Sequence, residues 1–164
     1  MILIGSLIRG CAHAAIIHGM SDMFTMDRAF HCRAVALYMQ GAAPALGLQP
    51  DEAFVVGWLH DAAYAFGDNR SHACNGGRVL EADGYRYWRE IALHGTPQGL
   101  FSPMGVLLNI ADMSVDSQGR TVGFDRRLED VQTRYGAQSA QYHECAHMIS
   151  LLQHSHEWAV LRTI

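Results

Sequence analysis

Residues 53–59, AFVVGWL, carry no charged side chain and run straight into His60 and Asp61. A segment of that kind is buried on most sides, so its element belongs near the middle of the fold. A carboxylate carried inward by such a segment is costly unless something compensates its charge. Whatever folds over this pair has to supply that compensation.

Apolar spacing along the rest of the chain is helical. Prolines are few (Pro44, Pro50, Pro97, Pro103), and alternating apolar–polar runs of strand type are nearly absent, so the expected fold is all-α. Helices are expected over 3–18, from Ser21 or Thr25 to about 40, and over 50–59, 71–82, 85–93, 104–113, 125–135 and 138–161. Pro50 suits a first helical position, and Asp51 and Glu52 suit the first turn, where negative charge meets the positive end of the helix dipole. Phe30, Ala34, Leu37 and Tyr38 are the expected buried side of the second helix. Ser71 is an expected N-cap. Loops are expected at Gly67, Asp68 and Asn69, over 95–103 and over 114–124. With no repeat, low-complexity tract or linker, residues 1–164 are expected to form one compact helical domain.

Hydrophobic residues make up 49% of the chain and charged ones 17%, a composition that builds a core rather than a disordered segment. Lys plus Arg number 12 against 16 Asp plus Glu, a formal net charge of -4, so no general attraction to nucleic acid or anionic lipid is expected. The apolar start is interrupted by Arg9, His13 and His18 and lacks the charged-then-apolar order of a signal peptide. It is also too broken to span a bilayer, so a cytoplasmic protein without a membrane partner is expected. Cys11, Cys32, Cys74 and Cys145 form no CxxC pair and are expected as buried, reduced thiols. The apolar N-terminal and His-rich C-terminal helices leave a homo-oligomer open.

Ten histidines are many for 164 residues, and several sit in apolar surroundings. His31 lies within RAFHCRAVALY, Asp112 follows VLLNIA, and His72 and His94 fall on the intervening helices. Adjacent residues on a helix point about 100° apart, so His60 and Asp61 share a cation only if it sits over that helix end. Further ligands must then come from other elements. Each of these residues alone also reads as a core histidine or a helix-end aspartate. Together they form a histidine–carboxylate set suited to iron, manganese or zinc rather than calcium, with no thiolate implied.

The order of these residues resembles the HD-domain superfamily of metal-dependent phosphohydrolases. HCRAVAL around His31, WLHDAAY around His60 and Asp61, and NIADMSVD around Asp112 carry the resemblance, which covers residues 27–136. The segment ADMSVDSQGRTVGFDRRLEDVQTRYG is similar to the region after the last metal ligand in small bacterial members. The resemblance implies a helical HD-type fold, with His31, His60, Asp61 and Asp112 as ligands of one metal. His72 and His94 would belong to a second, with Asp61 bridging. It also implies a metal-activated water attacking a phosphoester or phosphoanhydride of a small, nucleotide-like substrate. Dinucleoside polyphosphate hydrolases are a looser likeness. Arg28, on the same helical face as His31, and Arg120 are candidate phosphate partners. Many members carry a Lys three residues after the HD Asp, and here that place is Tyr64.

Near the C-terminus, His143-Glu144-Cys145-Ala146-His147 is a literal HExxH, the pattern of zinc peptidases. The extended form fails, because the later Gly and His places hold Ser150 and Gln153. A zinc peptidase and a non-catalytic helical metal-binding module therefore stand as alternatives to the phosphohydrolase.

Overall fold

The computed structural model describes residues 26–66 and 71–163. The expected helix over 3–18, the caps at Ser21 and Thr25 and the loop at 67–69 lie outside the described residues. Those described are helical throughout: α1 (Met26–Ala42), α2 (Pro50–Leu59), α3 (His72–Ala82), α4 (Trp88–Ala92), α5 (Pro103–Ser114), α6 (Gly123–Tyr135), α7 (Ala140–Gln153) and α8 (His156–Leu161). Short 3₁₀ turns cover Ala43–Leu46, Ala62–Phe66 and Pro97–Phe101. The fold is all-α. A lone antiparallel bridge, Val115 to Thr121, is the only sheet-type pairing among the described residues.

Two hydrophobic clusters share α5 as a partition. Val35, Val56, Leu59, Leu80 and Ile91 meet its Leu107 and Leu108. Phe124, Val131, Met148 and Leu152 meet its Val106 and Ile110 on the other side. Consequently α5 is buried at every position except Pro103 and Met113, more completely than α2. Residues 53–60 are nonetheless buried or half-buried without exception, as their composition demands.

Two glycines set how closely the helices that carry the histidines approach. A Cβ on Gly57 of α2 would stand 2.7 Å from Ala36 Cα of α1. A Cβ on Gly77 of α3 would stand 2.3 Å from Ala92 Cβ of α4. Neither site has room for a methyl group, so both interfaces depend on the missing side chain.

Several expectations need correction. The buried side of α1 is His31, Cys32, Val35, Ala36 and Met39, whereas Phe30 and Leu37 are 48% and 45% exposed. The tight contact with Gly57 selects the face bearing Ala36 rather than the one bearing the largest side chains. The helix expected over 85–93 begins late, because the Tyr85 amide closes α3 on the Leu80 carbonyl after left-handed Gly84. The loop over 95–103 contains a 3₁₀ turn. The helix expected over 138–161 breaks at Ser155, whose hydroxyl accepts from Trp158 N at 3.1 Å and caps a new helix. Cys32 and Cys145 are buried free thiols, but Cys74 is exposed. No helix among the described residues is long and apolar enough to cross a membrane.

Candidate metal centre

Four histidines and two aspartates converge between α1, α5 and the ends of α2, α3 and α4. His60 and His94 arrive in the same way. Each follows a helix end and turns its Nδ1 back to the carbonyl three residues earlier, Gly57 O and Ile91 O, at 2.7 Å in both cases. The free carbonyls of a helix C-terminus make that contact available. His31 projects from mid-α1, and its Nδ1 lies 3.0 Å from the Asp116 carbonyl. A ring nitrogen facing a carbonyl oxygen must carry the proton. In the neutral imidazoles, all three rings therefore aim an Nε2 lone pair at the two carboxylates.

Around these lone pairs the contacts form two sets. In the first, His31 Nε2 is 3.1 Å from Asp112 Oδ1 and 3.9 Å from Asp61 Oδ2. His60 Nε2 lies 3.4 Å from Asp61 Oδ2 and 3.9 Å from Asp112 Oδ1. In the second, Asp61 Oδ1 lies 3.2 Å from His72 Nε2 and 3.5 Å from His94 Nε2, and the two nitrogens are 3.3 Å apart. Atoms sharing a cation at the usual ligand distances stand about 2.9–3.4 Å from one another. The shorter contacts of both sets match that spacing, and the 3.9 Å contacts require a small inward movement. One oxygen of Asp61 faces each set.

The cluster is buried: His31 is 2% exposed, His60 0%, Asp61 2%, His94 4% and Asp112 8%. His60 Nε2 has no hydrogen-bond partner. With Nδ1 committed as a donor, a neutral His60 turns its Nε2 lone pair toward carboxylate oxygens, an arrangement that a cation bound between them satisfies. The donor set therefore fits a divalent transition metal, and His31, His60, Asp61, His94 and Asp112 could hold one.

Protein groups also compensate the two carboxylates. The Arg28 guanidinium pairs directly with Asp61 Oδ2. Burial would raise the Asp61 carboxyl, but the charge of His60 and contacts with His60, His72 and His94 hold it well below the usual carboxylate range. Asp112 is likewise lowered: burial opposes ionisation, and His31, His60 and Arg127 outweigh it. Burial pushes the His94 imidazole down, but contact with Asp61 and the charge of Asp112 raise it overall.

All six expected ligands thus lie together, with Arg28 beside them. Arg120 does not join: it is 69% exposed at the side chain, and its Nε donates to Asp116 Oδ2 at 2.7 Å. The Asp116 carboxylate also accepts from the amides of Gln118 and Arg120, each at 2.9 Å. Arg120 therefore braces the turn whose carbonyl orients His31. A polar groove of about 580 Å³ runs along this turn and α6, lined by Asp116, Arg120, Arg126 and Glu129 among others, but by none of the six cluster residues. His143, Glu144 and His147 lie on α7, the two histidines exposed, and stand apart from the cluster.

Other contributors escape a reading by residue type. Asp116 acts through a backbone carbonyl, which any residue could provide. Asn109 pins the turn after His94, accepting from Gly95 N at 2.7 Å and donating to Gly105 O at 2.8 Å. Arg127, whose buried Nε has no hydrogen-bond partner, lends positive charge to Asp112 from α6. The only sequence signal for Asp116 and Arg127 is that both fall in the segment following Asp112. No protein-family model matches the chain, and no curated protein or solved structure shows significant similarity to it.

Proposed function

We propose that this chain is a metal-dependent phosphohydrolase acting on a phosphoester or phosphoanhydride of a small, nucleotide-like substrate. One divalent ion (iron, manganese or zinc) would be held by His31, His60, Asp61 and Asp112. A second would be held by His72, His94 and the other oxygen of Asp61. A single atom carries the metal assignment: the buried, unpartnered Nε2 of His60, facing two carboxylates. The resemblance of residues 27–136 to the HD-domain superfamily supplies the reaction class.

Bound divalent ions supply a water acidified toward neutral pH and a positive centre for the phosphoryl oxygens. The chain's own residues do the rest. Asp61 and Asp112 would repel an anionic substrate in the absence of cations, which ties phosphate binding to metal binding. Arg28 and His72 form the partly exposed edge of the cluster, its mouth, with 31% and 23% of their side chains exposed. Once cations compensate Asp61, the Arg28 guanidinium is available to substrate oxygens, for which its forked donors are suited. Arg127 adds positive charge on the Asp112 side.

The test is a manganese-supplemented screen across nucleotides and generic phosphoesters. Wild type and His143→Ala should hydrolyse the same substrates at the same rate, and Asp61→Ala should fall to background. Full activity in Asp61→Ala, or activity lost only in His143→Ala, would overturn the assignment.

A further inference from the structure

His72 is the exception among the four histidines. The other three have Nδ1 against a backbone carbonyl. His72 Nδ1 is buried with no hydrogen-bond partner, and the residue is the first of α3, 23% exposed at its side chain. Its ring packs instead on Tyr64, with centroids 4.3 Å apart and planes inclined by 31°. The His94 ring lies near that of His72 at a steep angle, with centroids 5.1 Å apart and planes inclined by 61°.

Tyr64 is placed by the turn after Asp61. Its amide donates to the Asp61 carbonyl at 3.0 Å, opening the 3₁₀ turn Ala62–Phe66. In a 3₁₀ turn residues three apart share a face, so this bond puts Tyr64 on the Asp61 side of the turn. The Arg28 guanidinium carbon sits 3.9 Å from the centre of that same ring. One aromatic ring thus contacts a ligand of the second metal set and the cation at the mouth.

We infer that Tyr64 is a positioning residue for both: its ring, in place of a backbone carbonyl, orients His72 toward Asp61, and it holds Arg28 at the mouth for the substrate phosphoryl group. This rests on the metal-dependent function proposed for the chain. Orientation of a ligating imidazole by its surroundings typically governs metal affinity by about 10–100-fold. The guanidinium's attraction to the ring needs only the π face, so the hydroxyl is dispensable.

The experiment is calorimetric titration of metal-free protein with Mn²⁺, then of the Mn²⁺-loaded protein with inorganic phosphate, for wild type, Tyr64→Phe and Tyr64→Met. Wild type should bind two equivalents of Mn²⁺ and then phosphate. Tyr64→Phe should stay within about twofold of both affinities. Tyr64→Met should keep the first equivalent and bind the second Mn²⁺ and phosphate about 10–100-fold more weakly. If Tyr64→Met matches wild type, or Tyr64→Phe loses as much as Tyr64→Met, the inference is wrong while the metal centre stands. If Tyr64→Met does not fold, Tyr64→Phe alone decides, and a loss above about tenfold overturns the inference. A wild-type protein that binds no Mn²⁺ sinks the metal-dependent function, and the inference with it.

Discussion

At the scale of single residues, the cluster is defined by which nitrogen carries the proton. Carbonyls of Gly57, Ile91 and Asp116 take the Nδ1 protons, leaving Nε2 atoms pointed at Asp61 and Asp112. Among these groups His94 is raised above the ordinary histidine value. Its protonated form stabilises the metal-free fold below about pH 6.5, and that contribution is lost as pH rises through the raised folded value. A metal needs the unprotonated nitrogen, so binding releases a proton. Asp61 and Asp112 are lowered and ionised across this range, so they add no competing proton. Affinity for Mn²⁺ should therefore be about tenfold or more higher near pH 8 than near pH 6, measured by titration in matched ionic strength. A flat profile would contradict this protonation scheme. His31, His60, Asp61 and Asp112 are legible in the sequence, because costly residue types beside apolar runs announce themselves, whereas His72 and His94 enter as ligands only through the resemblance. The Asp116 carbonyl and the charge of Arg127 are not legible, since one is a backbone atom and the other acts across elements distant in sequence. Arg120 misleads because its partner, Asp116, lies four residues away within the same turn.

At the scale of elements, helix existence is legible and helix facing is not. Apolar spacing places α2, α5 and α6 within a residue or two. The face that α1 buries depends on the close approach of Gly57 to Ala36, where an added Cβ would stand 2.7 Å from Ala36 Cα, and a count of large apolar residues does not register it. Likewise the break before α8 is a local competition, won by the Ser155 hydroxyl as an N-cap. The α1–α2 contact yields a sharp expectation. Gly57→Ala should cost about 1–3 kcal/mol through overpacking. For a chain of this length that lowers Tm by about 2–12 °C. It should also weaken Mn²⁺ binding, because the two helices carry His31 and His60. Gly41→Ala is the control: a Cβ there meets nothing within 4 Å, so stability should hold or rise slightly. Equal melting curves for Gly57→Ala and wild type would show that the interface has slack.

At the scale of the whole molecule, the six expected ligands come from α1, the turn after α2, the start of α3, the turn after α4, and α5. Their order along the chain is readable, but that these helix ends meet at one point is a property of the packing around α5. The same packing buries the cluster, leaving Arg28, His72 and a part of Asp112 as its accessible side. Metal binding would join five elements through two carboxylates. The measurement that tests this most directly is Mn²⁺ titration of the metal-free protein at neutral pH, with Asp61→Ala alongside. Wild type should bind saturably, at two equivalents, and Asp61→Ala should lose both, since each half of the centre uses one oxygen of that carboxylate. No binding by wild type, or unchanged binding by Asp61→Ala, would contradict it.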